Sequence, residues 1–148
     1  MSLNNYPLNI AADNFYWFIS SGSAADVPKG VFFDPADIPS IPRVYNVGLA
    51  DYIQEKWTDQ NRTNNGDMAK VMETVAAAIV QYLQRFPDRR IYVRGNTEPK
   101  RRLYQRYASN NLNEISIKYY LFGKEYDKNQ FEVFGKGKVY EALLVEVK

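Results

Sequence analysis

Apolar and polar positions along the chain follow two periods. Met68, Val71, Val75, Ala78, Ile79, Tyr82 and Phe86 recur three and four apart, which predicts a helix over 68–86. Asn65 or Asp67 can cap its start with a side-chain oxygen, and Pro87 stops it. A second helix is expected after Gly95-Asn96, with Thr97 as its cap and Pro99 in the first turn, where the missing amide hydrogen costs little. It carries Leu103, Tyr104 and Tyr107 towards the core, and Asn110 or Asn111 starts a further turn through Leu112 and Ile115. Aromatic and β-branched runs predict strands at 15–20, 30–34, 43–49, 90–94, 119–122 and 138–147. A long hairpin connection holding Pro28 and Lys29 joins the first two, and 123–137 joins the last two. Residues 1–12 and the proline-bearing stretch 34–42 read as irregular, 51–57 as an extension of the third strand or a turn out of it, and 58–63 as loop. Strands, helix, strand, helix, strands in that order predict an α+β fold: a single domain over 1–148, a mainly antiparallel twisted sheet packed with two main helices.

Composition removes whole classes of chemistry. The 148 residues include no cysteine and no histidine, so disulfides, thiolate zinc sites, cysteine nucleophiles and histidine-based triads are excluded. No apolar run approaches the roughly 20 residues that span a bilayer. The N-terminus lacks a basic segment followed by an apolar one, so a cytoplasmic protein with no membrane partner is expected. Clustered acidic spacing suited to a metal is absent, and no metal or other cofactor is expected. The net charge of +2 conceals an asymmetry: residues 89–106 hold Arg89, Arg90, Arg94, Lys100, Arg101, Arg102 and Arg106 against Glu98 alone, a local +6, whereas residues 1–88 are acidic.

Several short motifs stand close together. Asn64-Asn65-Gly66-Asp67 opens the first helix, Thr74–Ile79 reads T-V-A-x-x-I, Gly95–Thr97 reads G-x-T, and Arg102–Tyr104 reads R-L-Y. With R-V-Y-N at Arg43–Asn46 and Y-E-A-x-L at Tyr140–Leu144, the chain resembles a family of small uncharacterised bacterial proteins with the status of a domain of unknown function. The resemblance runs from about Phe15 to Lys148. Members usually carry two arginines after the G-x-T turn; here the first position is Lys100 and Arg102 matches. The half from Asn64 onwards is also similar in topology to the acyl-CoA N-acyltransferase fold, with Asn96 and Tyr104 near that fold's Asn and Tyr. Its glycine-rich pyrophosphate loop is absent.

No catalytic machinery is legible, and a catalytic residue set is not assigned. The leading reading is a binding or interaction domain, with a divergent acyltransferase-like enzyme and a nucleic-acid-associated or toxin–antitoxin-type accessory protein as alternatives. Candidate ligand residues are Asn64, Asn65, Gly66, Asp67, Arg94, Asn96, Thr97, Lys100, Arg102 and Tyr104, where backbone amides at helix starts and nearby cations suit a small anion. Helix capping, a solvated basic face paired with the acidic first half, and tyrosines packed on a sheet are the structural readings of the same residues. Nucleic acid is the weaker partner reading, and a homodimer is left open. Arg102, beside Leu103, is expected to be at least partly buried and paired with Asp67 or Glu73.

Overall fold

The computed structural model describes residues 4–23, 25–58 and 66–148. Its elements are β1 Asn9–Ala12, β2 Phe15–Ser21, β3 Asp26–Ile38, β4 Ile41–Ile53, β5 Lys56–Thr58, α1 Met68–Arg85, β6 Arg90–Val93, α2 Glu98–Asn110, α3 Leu112–Lys118, β7 Tyr119–Glu125, β8 Glu132–Val133 and β9 Tyr140–Val147. The fold is α+β. Among the described residues the strands hydrogen-bond in the order β1-β2-β3-β4-β6-β9-β7-β8, with β5 on β4. The β4–β6 pair is parallel, and the sheet is otherwise mainly antiparallel. The chain forms two compact units: one takes residues up to Asp34 and Val47–Arg85, the other Pro35–Asn46 and Phe86–Lys148.

In the first unit, β2 alternates cleanly, with Tyr16, Phe18 and Ser20 buried and Phe15, Trp17 and Ile19 turned outwards. Val27, Lys29, Val31 and Phe33 do the same on β3. Helix α1 closes this layer with Val71, Thr74, Val75, Ala78 and Tyr82, and Tyr82 stacks on Phe33 at 4.0 Å. On the outward face Gly30 leaves room for a cluster of rings. A Cβ there would come within 2.7 Å of Phe15 and 3.0 Å of Phe32 and Trp57. Phe15 stacks on Phe32, and both meet Trp57 nearly at right angles.

In the second unit, β6 lies between the start of β4 and β9, and β9 pairs with β7 from Tyr140 to Val147 with one register shift. Val44, Ile91, Val93, Leu121, Tyr140, Ala142, Leu143 and Leu144 are among its buried strand residues. Helix α2 packs on β9 and α3 on β7. Gln105 ties α2 to the start of β9, accepting from the Tyr140 amide at 2.9 Å and donating to the Lys138 carbonyl.

Three sequence expectations are corrected. The stretch 34–42 is not irregular: β3 continues to Ile38, Pro39 and Ser40 turn, and β4 starts at Ile41. A proline withholds one amide only, so it interrupts a strand only where a neighbour faces that side. Residues 1–12 are not wholly irregular, because Asn9–Ala12 pairs with Phe15–Trp17 across a two-residue turn. The connection to the last strand contains β8, which extends the sheet beyond β7. The helix ends at 68 and 85, the Thr97 cap and the β7–β9 pairing agree with expectation; α3 is the further helix that Asn111 precedes. Residues 51–57 do both things allowed for them: β4 runs to Ile53, turns at Gln54-Glu55 and returns as β5.

Candidate functional site

Gly66 and Asp67 sit in the first unit at the start of α1; Asn64 and Asn65 lie outside the described residues. Asp67 is not open to an anion. Its Oδ2 accepts from the Tyr6 hydroxyl at 2.6 Å and the Ser20 hydroxyl at 2.5 Å. Burial pulls this carboxyl up, but the Ser20 and Tyr6 hydroxyls, its own amide and the charge of Lys29 together hold it below its ordinary value. Tyr6 also receives the Ser21 amide on its hydroxyl, and its own amide donates to Thr74. The carboxylate therefore fastens the N-terminal segment and the end of β2 to the first turn of α1. Beneath it lies a buried ion pair, Lys29 Nζ to Asp51 at 2.6 Å, with the side chains 8% and 6% exposed.

In the second unit, β6 delivers Arg94 to the turn that starts α2. Gly95 is required there: a Cβ would stand 2.6 Å from the Lys100 Cβ and 2.9 Å from the Arg101 amide nitrogen. Thr97 caps the helix by accepting from the Lys100 amide at 3.4 Å. Arg101 turns back, donating through Nε to the Gly95 carbonyl at 2.8 Å and pairing with Glu98 at 3.0 Å. The Tyr126 hydroxyl donates to the same Glu98 oxygen at 2.8 Å, so turn, helix start and the end of β7 are joined.

The expectation for Arg102 is overturned. Its side chain is 64% exposed against 16% for Arg101, and its carboxylate contact is Glu98 one helical turn away, at 3.9 Å. Arg101 and Arg102 are consecutive on a helix, so only one can face the Gly95 turn, and the sheet-side position falls to Arg101. Leu103, Tyr104 and Tyr107 are only half-covered, and Ala108 is the fully buried residue of α2. Burial nevertheless pushes the Tyr104 hydroxyl up to about 12.

Next to Arg94 stands Glu141, which belongs to the Y-E-A-x-L motif but is not among the expected site residues. β9 carries a bulge: Lys124 pairs with Ala142 and Glu125 with Tyr140, leaving Glu141 as the extra residue. Its carboxylate bridges two cations, with Oε1 2.6 Å from Lys124 Nζ and Oε2 3.3 Å from an Arg94 guanidinium nitrogen. The Lys124 bond, with the Arg94 charge beside it, holds the Glu141 carboxyl below its ordinary value despite the cost of burial. Tyr92, two residues before Arg94 on the same strand, is half-buried under Phe131, an edge contact at 6.2 Å. Burial raises its hydroxyl, and the charges of Arg94, Glu141, Lys124 and Arg101 all act on it. Of the residues expected in a site, Arg94, Asn96, Thr97, Lys100, Arg102 and Tyr104 lie on this turn and helix; Lys124, Glu141 and Tyr92 are additional.

Among the described residues, several cations of the basic band have partners within their own unit. Arg89 lies over the rings of Tyr45 and Phe86, Arg90 pairs with Glu146 at 2.6 Å, Arg94 with Glu141 and Arg101 with Glu98. A band so paired presents less free charge to a phosphate backbone than its sequence count suggests. Among the described residues no group of three or more acidic ligands could hold a metal ion, and no helix is long and apolar enough to cross a membrane.

The class defined by these observations is an α+β domain with a charged, partly buried corner at a strand–turn–helix junction. The chain belongs to a family of unknown function, DUF6934, whose profile matches residues 2–148. No curated protein and no solved structure gives a match.

Proposed function

We propose that this chain is a non-enzymatic binding domain that takes a small anionic ligand at the corner formed by Arg94, Lys124 and Tyr92. The observation that carries this reading is the meeting of Arg94 and Lys124 on a single part-buried carboxylate, Glu141, at 3.3 and 2.6 Å. Clefts and corners with convergent polar groups and shifted titrations are where ligands bind by preference. Arg101 is fixed by Gly95 and Glu98, whereas Arg94 and Lys124 share one carboxylate, Glu141, between them and are the anion donors. Asn96, Thr97 and Lys100 border them on the adjoining turn, and Phe131 supplies an apolar wall against Tyr92.

Titration calorimetry at low ionic strength tests this with inorganic phosphate, sulfate, acetate and acetyl-CoA in turn. Binding by at least one is expected, weakened about tenfold or more in Arg94→Gln or Lys124→Gln, since each removes a charge-assisted hydrogen bond worth roughly 1.5–3 kcal/mol. No heat from any of the four at millimolar concentration would remove the reading. Tight binding of a short RNA with a steep salt dependence would replace it with a nucleic-acid role.

A further inference from the structure

We infer that Glu141 is a built-in competitor for the anion, occupying in the free protein the two donors that the ligand must take; this rests on the binding reading given above. The geometry is that of a bound oxyanion. One oxygen of Glu141 is on Lys124 at 2.6 Å and the other on Arg94 at 3.3 Å, the two-point bridge that a carboxylate, sulfate or phosphate would make between the same cations. The bulge is what puts it there. In an unbroken ladder residue 141 would have a partner on β7; as the extra residue it is released from that pairing, and its side chain is re-aimed onto Lys124 and Arg94. Ligand and Glu141 cannot both hold the two cations, so binding either displaces this carboxylate or neutralises it.

The consequence is a link between binding and protonation. The charged groups that act on Glu141 are Lys124 from β7 and Arg94, which directly follows β6; Tyr92 on β6 feels both of these charges, that of Glu141 and that of Arg101 from α2. Lys124 and Arg94 together depress the Glu141 carboxyl in the free protein. When an anion takes over these cations, that depression is lost, Glu141 becomes easier to protonate and a proton is taken up on binding. Affinity therefore rises as pH falls towards the ordinary carboxylate range. The ligand class favoured is a compact oxyanion with at least two free oxygens.

Sulfate is the suitable probe, because its own charge is constant between about pH 4 and pH 7. Calorimetric affinities are compared for wild type and Glu141→Gln over that range, with Lys136→Ala, an exposed lysine outside the corner, as reference. The expected result is about tenfold tighter sulfate binding by Glu141→Gln at pH 7. Wild-type affinity should rise as pH falls, while the affinity of Glu141→Gln stays flat and Lys136→Ala follows wild type. Wild type that binds sulfate at the corner while Glu141→Gln binds equally or more weakly overturns the competitor role and leaves the binding reading intact. Failure of both proteins to bind removes both ideas. If Glu141→Gln does not fold, the pH dependence of wild type is compared with Glu141→Asp. That change draws the carboxylate back by one methylene, so tighter binding at pH 7 is expected, and unchanged or weaker binding overturns the inference.

Discussion

Lys29 and Asp51 offer the sharpest quantitative test of the fold. Both charges are taken out of water, with side chains 8% and 6% exposed, and they meet at 2.6 Å between the sheet and α1. Removing one partner leaves the other charge stranded, which costs about 3–5 kcal/mol; replacing both with apolar side chains of similar volume is neutral or even stabilising by about 1–4 kcal/mol. Lys29→Met and Asp51→Val should therefore each lower the melting point by roughly 6–20 °C, at about 2–4 °C per kcal/mol for a chain of this size. Lys29→Met should be the worse of the two, because Lys29 also compensates Asp67. The double variant should recover most of the loss, giving a large coupling energy in a double-mutant cycle. The assay is urea unfolding followed by tryptophan fluorescence. The chain has two tryptophans, Trp17 and Trp57, and both lie in the unit that holds this pair, so the signal reports on the affected region. Single variants that cost less than about 1 kcal/mol would place the pair in the range of exposed ion pairs and refute its burial. A double variant as unstable as the sum of the singles would refute the coupling.

Asp67 gives a pH prediction. Its folded-state carboxyl is depressed, so the stabilisation it contributes is fully present above the ordinary aspartate value and fades as pH falls from there through the depressed value. Asp67→Asn should be less stable than wild type at pH 7, and the gap should close in acid unfolding as the pH falls through the depressed value; a gap independent of pH would count against the hydroxyl-bonded carboxylate. Gly95→Ala tests the turn. Its new methyl would meet the backbone of Arg101 and the Cβ of Lys100, neither of which can swing away, so a loss of about 1–3 kcal/mol in chemical denaturation is expected; a neutral result would mean the turn relaxes freely.

Much of the element pattern was readable from local chemistry. The three-and-four spacing of α1, the Thr97 cap with Pro99 behind it and the alternation in Phe15–Ser20 each follow from interactions between residues close in the chain, and each appears where expected. The absence of cysteine and histidine limited the chemistry before any fold was known. Where local signals misled, tertiary pairing was the reason. Prolines suggested irregular chain at 34–42, yet pairing carries β3 and β4 through it. Gln54-Glu55 turns with both residues at positive φ, although neither is a residue that usually marks such a turn. The charged corner depended wholly on the fold. Arg94, Lys124 and Glu141 are far apart in sequence, and they meet because β6, β9 and β7 are neighbours and one residue of β9 is unmatched. Which of two adjacent arginines turns inwards was likewise decided by how α2 seats against the Gly95 turn. A run of basic residues fixes the charge available; only the packed strands and helix fix which partner each charge meets.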